Sequence, residues 1–182
     1  GLGAADYIRG LPSKPKVHDE HVQAAVRTAT ESLNRESGEN PYLIHEKLQS
    51  IMQTKVGIIR TGTELQQALQ ELEGLKPLVA NVKAPGASQY NPGWHQALSL
   101  KSMIITAQAV ALGAITREES RGGHTRADFY FESEEWLQYN VVIRKTKDGN
   151  MEVAKVKRDD PPEEVKKIAY ASIEELEGTK GG

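Results

Sequence analysis

Apolar residues recur at helical spacing from the start of the chain to about residue 119, then alternate with polar ones beyond residue 136. A short helical stub at 2–8 is followed by residues 9–16, where Gly10, Pro12 and Pro15 predict a linker. A helix is predicted over 19–34, with Val22, Ala25, Val26, Ala29 and Leu33 on one face and Gln23, Arg27 and Glu31 facing away. Ser37-Gly38-Glu39-Asn40 breaks it, and Pro41 opens the next helix, where a missing N–H costs nothing. Ile44, Leu48, Ile51, Met52, Val56 and Ile59 form its predicted buried face. Thr63 and Gln66 have capping-box spacing and open a third helix, lined inside by Leu65, Leu69, Leu72 and Val79. Pro77 removes a donor to the Glu73 carbonyl, which predicts a kink or break there. After a loop at 84–90, Asn91-Pro92 reads as an N-cap followed by the first residue of a helix over 92–119. Long amphipathic helices joined by short loops predict an antiparallel bundle of three to four helices.

The pattern then changes. Residues 136–144 alternate, with Leu137, Tyr139, Val141 and Ile143 on one face. Lys147-Asp148-Gly149-Asn150 supplies a turn and 151–157 returns, so Asp-Gly between two such runs predicts a β-hairpin. A lone hairpin is marginal in water and must lean on another element. Asp160-Pro161-Pro162-Glu163 has capping-box spacing for a last helix, with Val165, Ile168, Ala169, Ser172 and Leu176 inward and a Glu163–Lys167 pair outside. Residues 179–182 are expected to fray. The fold class is mainly α, divided as 1–17, a helical bundle over 18–119, and a loop, hairpin and helix unit over 120–182.

Composition narrows the chemistry. With 23 Lys+Arg against 25 Asp+Glu, the net charge of −2 argues against a nucleic-acid binder, which would carry a basic excess. Aromatic residues are 5%, which favours helical packing over a β-sandwich. No cysteine is present, which excludes disulfides, thiolate metal sites and cysteine nucleophiles. No signal-peptide pattern opens the chain. The most apolar stretch, 103–115, is interrupted by Thr106, Gln108 and Gly113 and falls short of the roughly 20 residues that span a bilayer, so no membrane insertion is expected. The chain begins Gly1-Leu2-Gly3 without a methionine, and the expectation is a piece of a longer protein.

No phosphate loop, dinucleotide fingerprint, nucleophile elbow or H-E-x-x-H pattern is present. His45-Glu46 is followed by Gln49 where a second histidine would be needed, and His18 with His21 is a weak metal pattern, so no metal is expected. One stretch is dense in charge: Arg117-Glu118-Glu119-Ser120-Arg121-Gly122-Gly123-His124-Thr125-Arg126-Ala127-Asp128-Phe129. Two readings compete for it. In one, Gly122 stops the helix, arginine and histidine satisfy its last carbonyls, and Asp128 pairs with Arg121 or Arg126. In the other, the arginines and histidine form a docking loop for a carboxylate or phosphate. Neither supplies a proton-transfer pair. Trp94 is expected to anchor the bundle end, with His95 at the surface or in a cap.

Asn91-Pro92-Gly93-Trp94-His95-Gln96-Ala97-Leu98, the long helix, and Glu119-Ser120-Arg121-Gly122-Gly123-His124-Thr125-Arg126-Ala127-Asp128-Phe129 resemble the C-terminal region of succinate dehydrogenase and fumarate reductase flavoprotein subunits. The family pattern is Glu-Ser-Arg-Gly-(Ala/Gly)-His-x-Arg-x-Asp-(Tyr/Phe), which this chain matches throughout. The likeness extends to about Arg158, and residues 1–10 resemble the end of the last helix of the family's FAD-binding domain.

The resemblance implies a parent subunit that holds FAD in a dinucleotide-binding domain and passes hydride between succinate or fumarate and the flavin. The FAD fingerprint, tethering histidine and substrate arginines would all precede Gly1. It therefore assigns no catalytic and no cofactor-binding residue to this chain, and implies that the chain alone is inactive. Arg121, His124, Arg126 and Asp128 would dock the helical region against the FAD-binding domain, with Gly122 and Gly123 as the structural turn. An iron–sulfur subunit would carry electrons towards a membrane quinone, in a complex peripheral to the inner, cytoplasmic face of the membrane. The alternatives are the matching region of an L-aspartate oxidase or adenylylsulfate reductase flavoprotein, a free-standing helical protein-binding adaptor, and a small hydrolase or metal enzyme built on the His-Arg-Asp cluster.

Overall fold

The computed structural model describes residues 1–178; the fraying expected at 179–182 lies outside the described residues. The chain is mainly α and divides into two compact units, each discontinuous in sequence: 1–54 with 68–108, and 55–67 with 109–182. Neither junction falls at residue 119, because short strands that pair residues more than sixty apart draw 55–67 to the charged loop.

The first unit holds α1 (Leu2–Arg9), α2 (Asp19–Asn34), α3 (Pro41–Lys55), the end of α4 (Gly62–Ala80) and the start of α5 (Pro92–Thr116). Ile44, Val82, Ala84, Ala97 and Leu100 form a buried cluster, with Leu33, Leu78, Val79 and Trp94 packed against it. Asn91 caps α5 as predicted: its Oδ1 accepts from the Trp94 N–H at 3.0 Å, and its Nδ2 donates to Pro85 O and Ala87 O. Trp94 Nε1 donates to Ala29 O at 2.7 Å, which ties the start of α5 to α2. Gly38 is required where it stands, because a Cβ there would lie 2.3 Å from the Asn81 carbonyl.

Several expectations are corrected here. The apolar face of α2 is buried only towards its C-terminal end: Val22 is 42% and Val26 50% exposed, because the helix is pinned at Ala29 and Ser32, the latter accepting from Ala84 N. The α3 face ends sooner than its spacing suggests; Ile51 and Val56 are buried, but Ile59 has left the helix and is exposed. α4 is opened by Thr61 and Glu64 rather than Thr63 and Gln66, with Thr61 N donating to Glu64 Oε2 and Glu64 N to Thr61 Oγ1. The helix runs through Pro77 to Ala80 without a break. α5 ends at Thr116, short of residue 119. It counts 25 residues rather than the apolar 103–115 alone, and by length and composition it could cross a membrane. Ala97, Leu100, Ile104, Ala107, Ala111 and Ala114 are buried along it at three- and four-residue steps and make one inward face, while Leu98, Ile105 and Val110 are exposed.

The second unit contains β1 (Ile59–Arg60), β2 (Thr125–Arg126), α6 (Glu134–Leu137), β3 (Tyr139–Lys145), β4 (Met151–Lys157), α7 (Glu163–Tyr170) and α8 (Ile173–Glu177), with the start of α4 and the end of α5. β1 and β2 pair in parallel, Ile59 with Thr125 and Arg60 with Arg126. β3 and β4 form the predicted hairpin, with Gly149 in the left-handed turn at φ 85°. Trp136 and Leu137 belong to α6 rather than to the strand, since Ser133 caps a helical turn through the Trp136 N–H. The single terminal helix is instead two, because Ser172 forms a capping box with Glu175 and restarts the chain as α8. α7 has no side-chain cap, Glu163 pairs with Lys166 rather than Lys167, and neither helix buries a residue.

Candidate functional site

The charged loop folds around two helix ends within the second unit. α5 stops at Thr116 and leaves its last carbonyls without helical partners. The Arg126 side chain is 2% exposed and inserts there, donating Nη1 to Ala114 O and Ile115 O at 3.0 Å each and to Arg117 O at 3.4 Å. Its other edge grips Asp128: Nε to Oδ1 and Nη2 to Oδ2, both 2.8 Å. Asp128 Oδ2 in turn accepts from Gly62 N at 2.8 Å, at the first residue of α4. A guanidinium thus caps the negative end of one helix dipole while its carboxylate partner caps the positive end of another. A Cβ on Gly62 would come within 3.1 Å of both Arg126 Nη2 and Asp128 Oδ2, so glycine permits the close approach.

Glu119 is the second anchor and is fully buried (0% exposed). It accepts from Arg117 Nε at 2.7 Å, Arg121 Nε at 3.2 and 3.3 Å, and Ser133 N at 2.9 Å. Arg121 continues to Glu132 and to the Ser133 carbonyl. Ser120 Oγ donates towards Arg126 O and Phe129 O and accepts from Arg126 N, which locks the loop backbone. Gly122 adopts φ 57° in a tight turn closed by paired bonds between Arg121 and His124. It sits in that turn rather than at the end of α5, whose carbonyls Arg126 and His124 satisfy.

His124 lies between β1 and the end of α5. Its Nε2 faces Arg117 O at 3.0 Å and its Nδ1 faces Arg60 Nη1 at 3.2 Å. A carbonyl can only accept and a guanidinium can only donate, so the ring is neutral with its proton on Nε2. Burial lowers its proton affinity, the Arg117 carbonyl opposes that, and Arg60, Arg126 and Arg117 reinforce it. Burial by itself would raise the Glu119 carboxyl, but the Ser133 N–H, Arg121 and Arg117 outweigh it and leave it below its ordinary value. Arg126 holds Asp128 well below the carboxylate range, against desolvation and with help from the Gly62 N–H.

These arrangements bear on chemistry. A general base works best with a pKa near neutrality, whereas both carboxylates here are driven away from it and both imidazole nitrogens are engaged. Among the described residues no group of three His, Cys, Asp or Glu converges on a metal position; His18 and His21 have only each other, with rings 5.3 Å apart. Nor is the β1–α4 connection a dinucleotide-binding turn. The parallel strands are two residues each, and β1 leads into α4 through Thr61-Gly62 rather than a glycine-rich dinucleotide turn.

Arg121, Gly122, Gly123, His124, Arg126 and Asp128 therefore meet in one network, while Trp94 lies in the other unit. Sequence reasoning missed Arg60, Gly62 and the burial of Glu119. The Thr61-x-x-Glu64 spacing would have placed Gly62 at a helix start, but nothing local announces a partner sixty residues away.

Comparison with known proteins agrees with this architecture. A family profile described as the fumarate reductase flavoprotein C-terminus matches residues 45–171. The fumarate reductase flavoprotein subunit of Helicobacter pylori is 31% identical over 150 residues, covering 78% of this chain and 21% of that protein. Its counterpart in Mycobacterium tuberculosis is 29% identical over 160 residues, covering 84% and 27%. Among solved structures, the Mycobacterium smegmatis Sdh1 complex in the apo form matches with a TM-score of 0.82 at 36% identity, over 96% of this chain and 32% of that one. Adenylylsulfate reductase from Archaeoglobus fulgidus, at 20% identity and a TM-score of 0.72 over 86% of this chain and 27% of that one, shares the fold. The chain spans about a fifth of the length of the Helicobacter relative. It belongs to the fumarate reductase flavoprotein C-terminal family.

Proposed function

We propose that the chain serves as the C-terminal helical domain of a succinate dehydrogenase or fumarate reductase flavoprotein subunit, and that it supports FAD-dependent succinate–fumarate interconversion by packing rather than by chemistry. The observation that carries this reading is the consumption of the motif's charges in capping α4 and α5 and in fixing the loop, with no residue poised for proton transfer. FAD, the dicarboxylate and the catalytic arginine belong, in this reading, to the remaining portion of the subunit. The rim of the network docks against that portion: Arg121, His124 and Asp128 reach its surface, with the exposed side chains of Ile58, Ile59, Tyr130 and Phe131 in the same unit. Arg126 holds the rim in shape from beneath. The assembled subunit would join an iron–sulfur subunit peripheral to the inner, cytoplasmic face of a membrane.

Co-expression with the flavin-bearing portion of a family subunit tests the reading. Co-purification and restored succinate oxidation are expected, with an affinity at least tenfold weaker for Arg121→Ala and Tyr130→Ala variants whose circular dichroism is unchanged. Assembly indifferent to both folded variants would overturn it.

A further inference from the structure

An open groove in the second unit has a polar end formed by Arg60, Arg117 and His124 and apolar walls that include Val110, Gly113 and Ile143. The arginines around it are not equivalent. Arg117 pairs with Glu119, Arg121 with Glu119 and Glu132, and Arg126 with Asp128. Arg60 bonds only to neutral groups, donating Nε to Gly57 O at 2.8 Å and Nη1 to His124 Nδ1 at 3.2 Å. Among the described residues it has no carboxylate partner. Burial lowers its proton affinity and the neighbouring Arg126 adds to that, so an anion in contact would relieve an uncompensated, half-buried charge. Nη2 and the second hydrogen of Nη1 remain as a forked edge, which matches the two oxygens of a carboxylate. The walls offer little to the extra oxygens of a phosphate.

We propose that this groove binds a carboxylate on a short apolar stem, gripped by Arg60 with the stem lying along Val110, Gly113 and Ile143. The network already described holds the site open: His124 takes one hydrogen of Nη1 and so orients the guanidinium. Gly113 keeps the floor clear, since a Cβ there would meet only Ile143 Cδ1, at 3.9 Å.

The test is a heteronuclear NMR titration of the full chain with butyrate, butyramide and butylammonium, following Arg60, Gly113, His124 and Ile143. Butyrate should bind at least tenfold more tightly than butyramide, with shifts confined to the groove, and butylammonium should not bind. Arg60→Gln should remove the preference for the anion and Arg60→Lys should keep part of it. Gly113→Leu fills the groove without altering charge, and in a chain with an unchanged unfolding transition it should weaken butyrate at least tenfold. It decides the matter if Arg60→Gln does not fold. Equal affinity for butyrate and butyramide, or full binding in folded Gly113→Leu, would overturn the proposal. A parallel titration with N-acetylglutamate amide separates the sources: tighter binding than butyrate assigns the site to a protein-borne carboxylate, and weaker binding to a free acid.

Discussion

The two units are held together by different means. The first has an apolar centre, in which Ile44, Ala84, Ala97 and Leu100 are buried among aliphatic neighbours. The second also buries apolar side chains, Leu65 and Ala111 among them, but beside them it buries a carboxylate and a guanidinium, Glu119 and Arg126, as completely as the first buries leucine. An apolar core loses stability in proportion to the volume removed. An ionic core behaves otherwise, because removing one partner strands the other in a poor solvent. The contrast suits the proposed division of labour: the helices supply bulk, and the charged loop supplies a rim of defined shape.

The largest effect separating the two regions should come from Arg126→Ala. It strips the Ala114 and Ile115 carbonyls of their buried donor and leaves the partly exposed Asp128 without its guanidinium, and should cost about 3–5 kcal/mol in urea unfolding. Leu100→Ala, which opens a cavity in the other unit, should cost about 2–5 kcal/mol, with thermal unfolding as the check. If Arg126→Ala proves milder than Leu100→Ala, the ionic region is not the more brittle of the two.

Acid should distinguish the units next. Asp128, Glu119 and His124 all have native pKa values below their ordinary ones, so the unfolded chain binds more protons and stability rises with pH. The His124 contribution is complete above the ordinary value of 6.5 and is lost as pH falls towards its lower native value. The carboxylate contributions are complete above about pH 5 and disappear below that. Unfolding midpoints measured from pH 8 to 3 should therefore decline in two stages, and His124→Asn should remove the upper one. The smallest effect belongs to the tail: Ile168→Ala on exposed α7 should change stability by no more than about 0.5 kcal/mol.

Elements set by neighbouring residues were legible in the sequence. The span of α2, the Asn91 cap and the β3–β4 hairpin follow from spacing and turn chemistry alone. What depends on distant residues was not. Val22 and Val26 have the spacing of a buried face, yet burial needs a facing element and the described chain supplies none for them. Ile59 continues the α3 pattern but is drawn into a strand by Thr125. The motif was visible as a cluster, and the idea that arginine and histidine satisfy the end of a helix was available from it. That Arg126 would be buried was not, since it requires the carbonyls of α5 and the carboxylate of Asp128 to arrive together. The resemblance carried the family; it could not show that Arg60 would stand without a counter-charge.

A double-mutant cycle between Arg126→Gln and Asp128→Asn tests the central claim most directly. If the motif is a clasp joining the ends of α4 and α5, urea unfolding should reveal a coupling of at least about 1 kcal/mol, with the double variant less destabilised than the sum of the single ones. Effects that add to within about 0.3–0.5 kcal/mol would contradict it, and would return the motif to a set of independent charges.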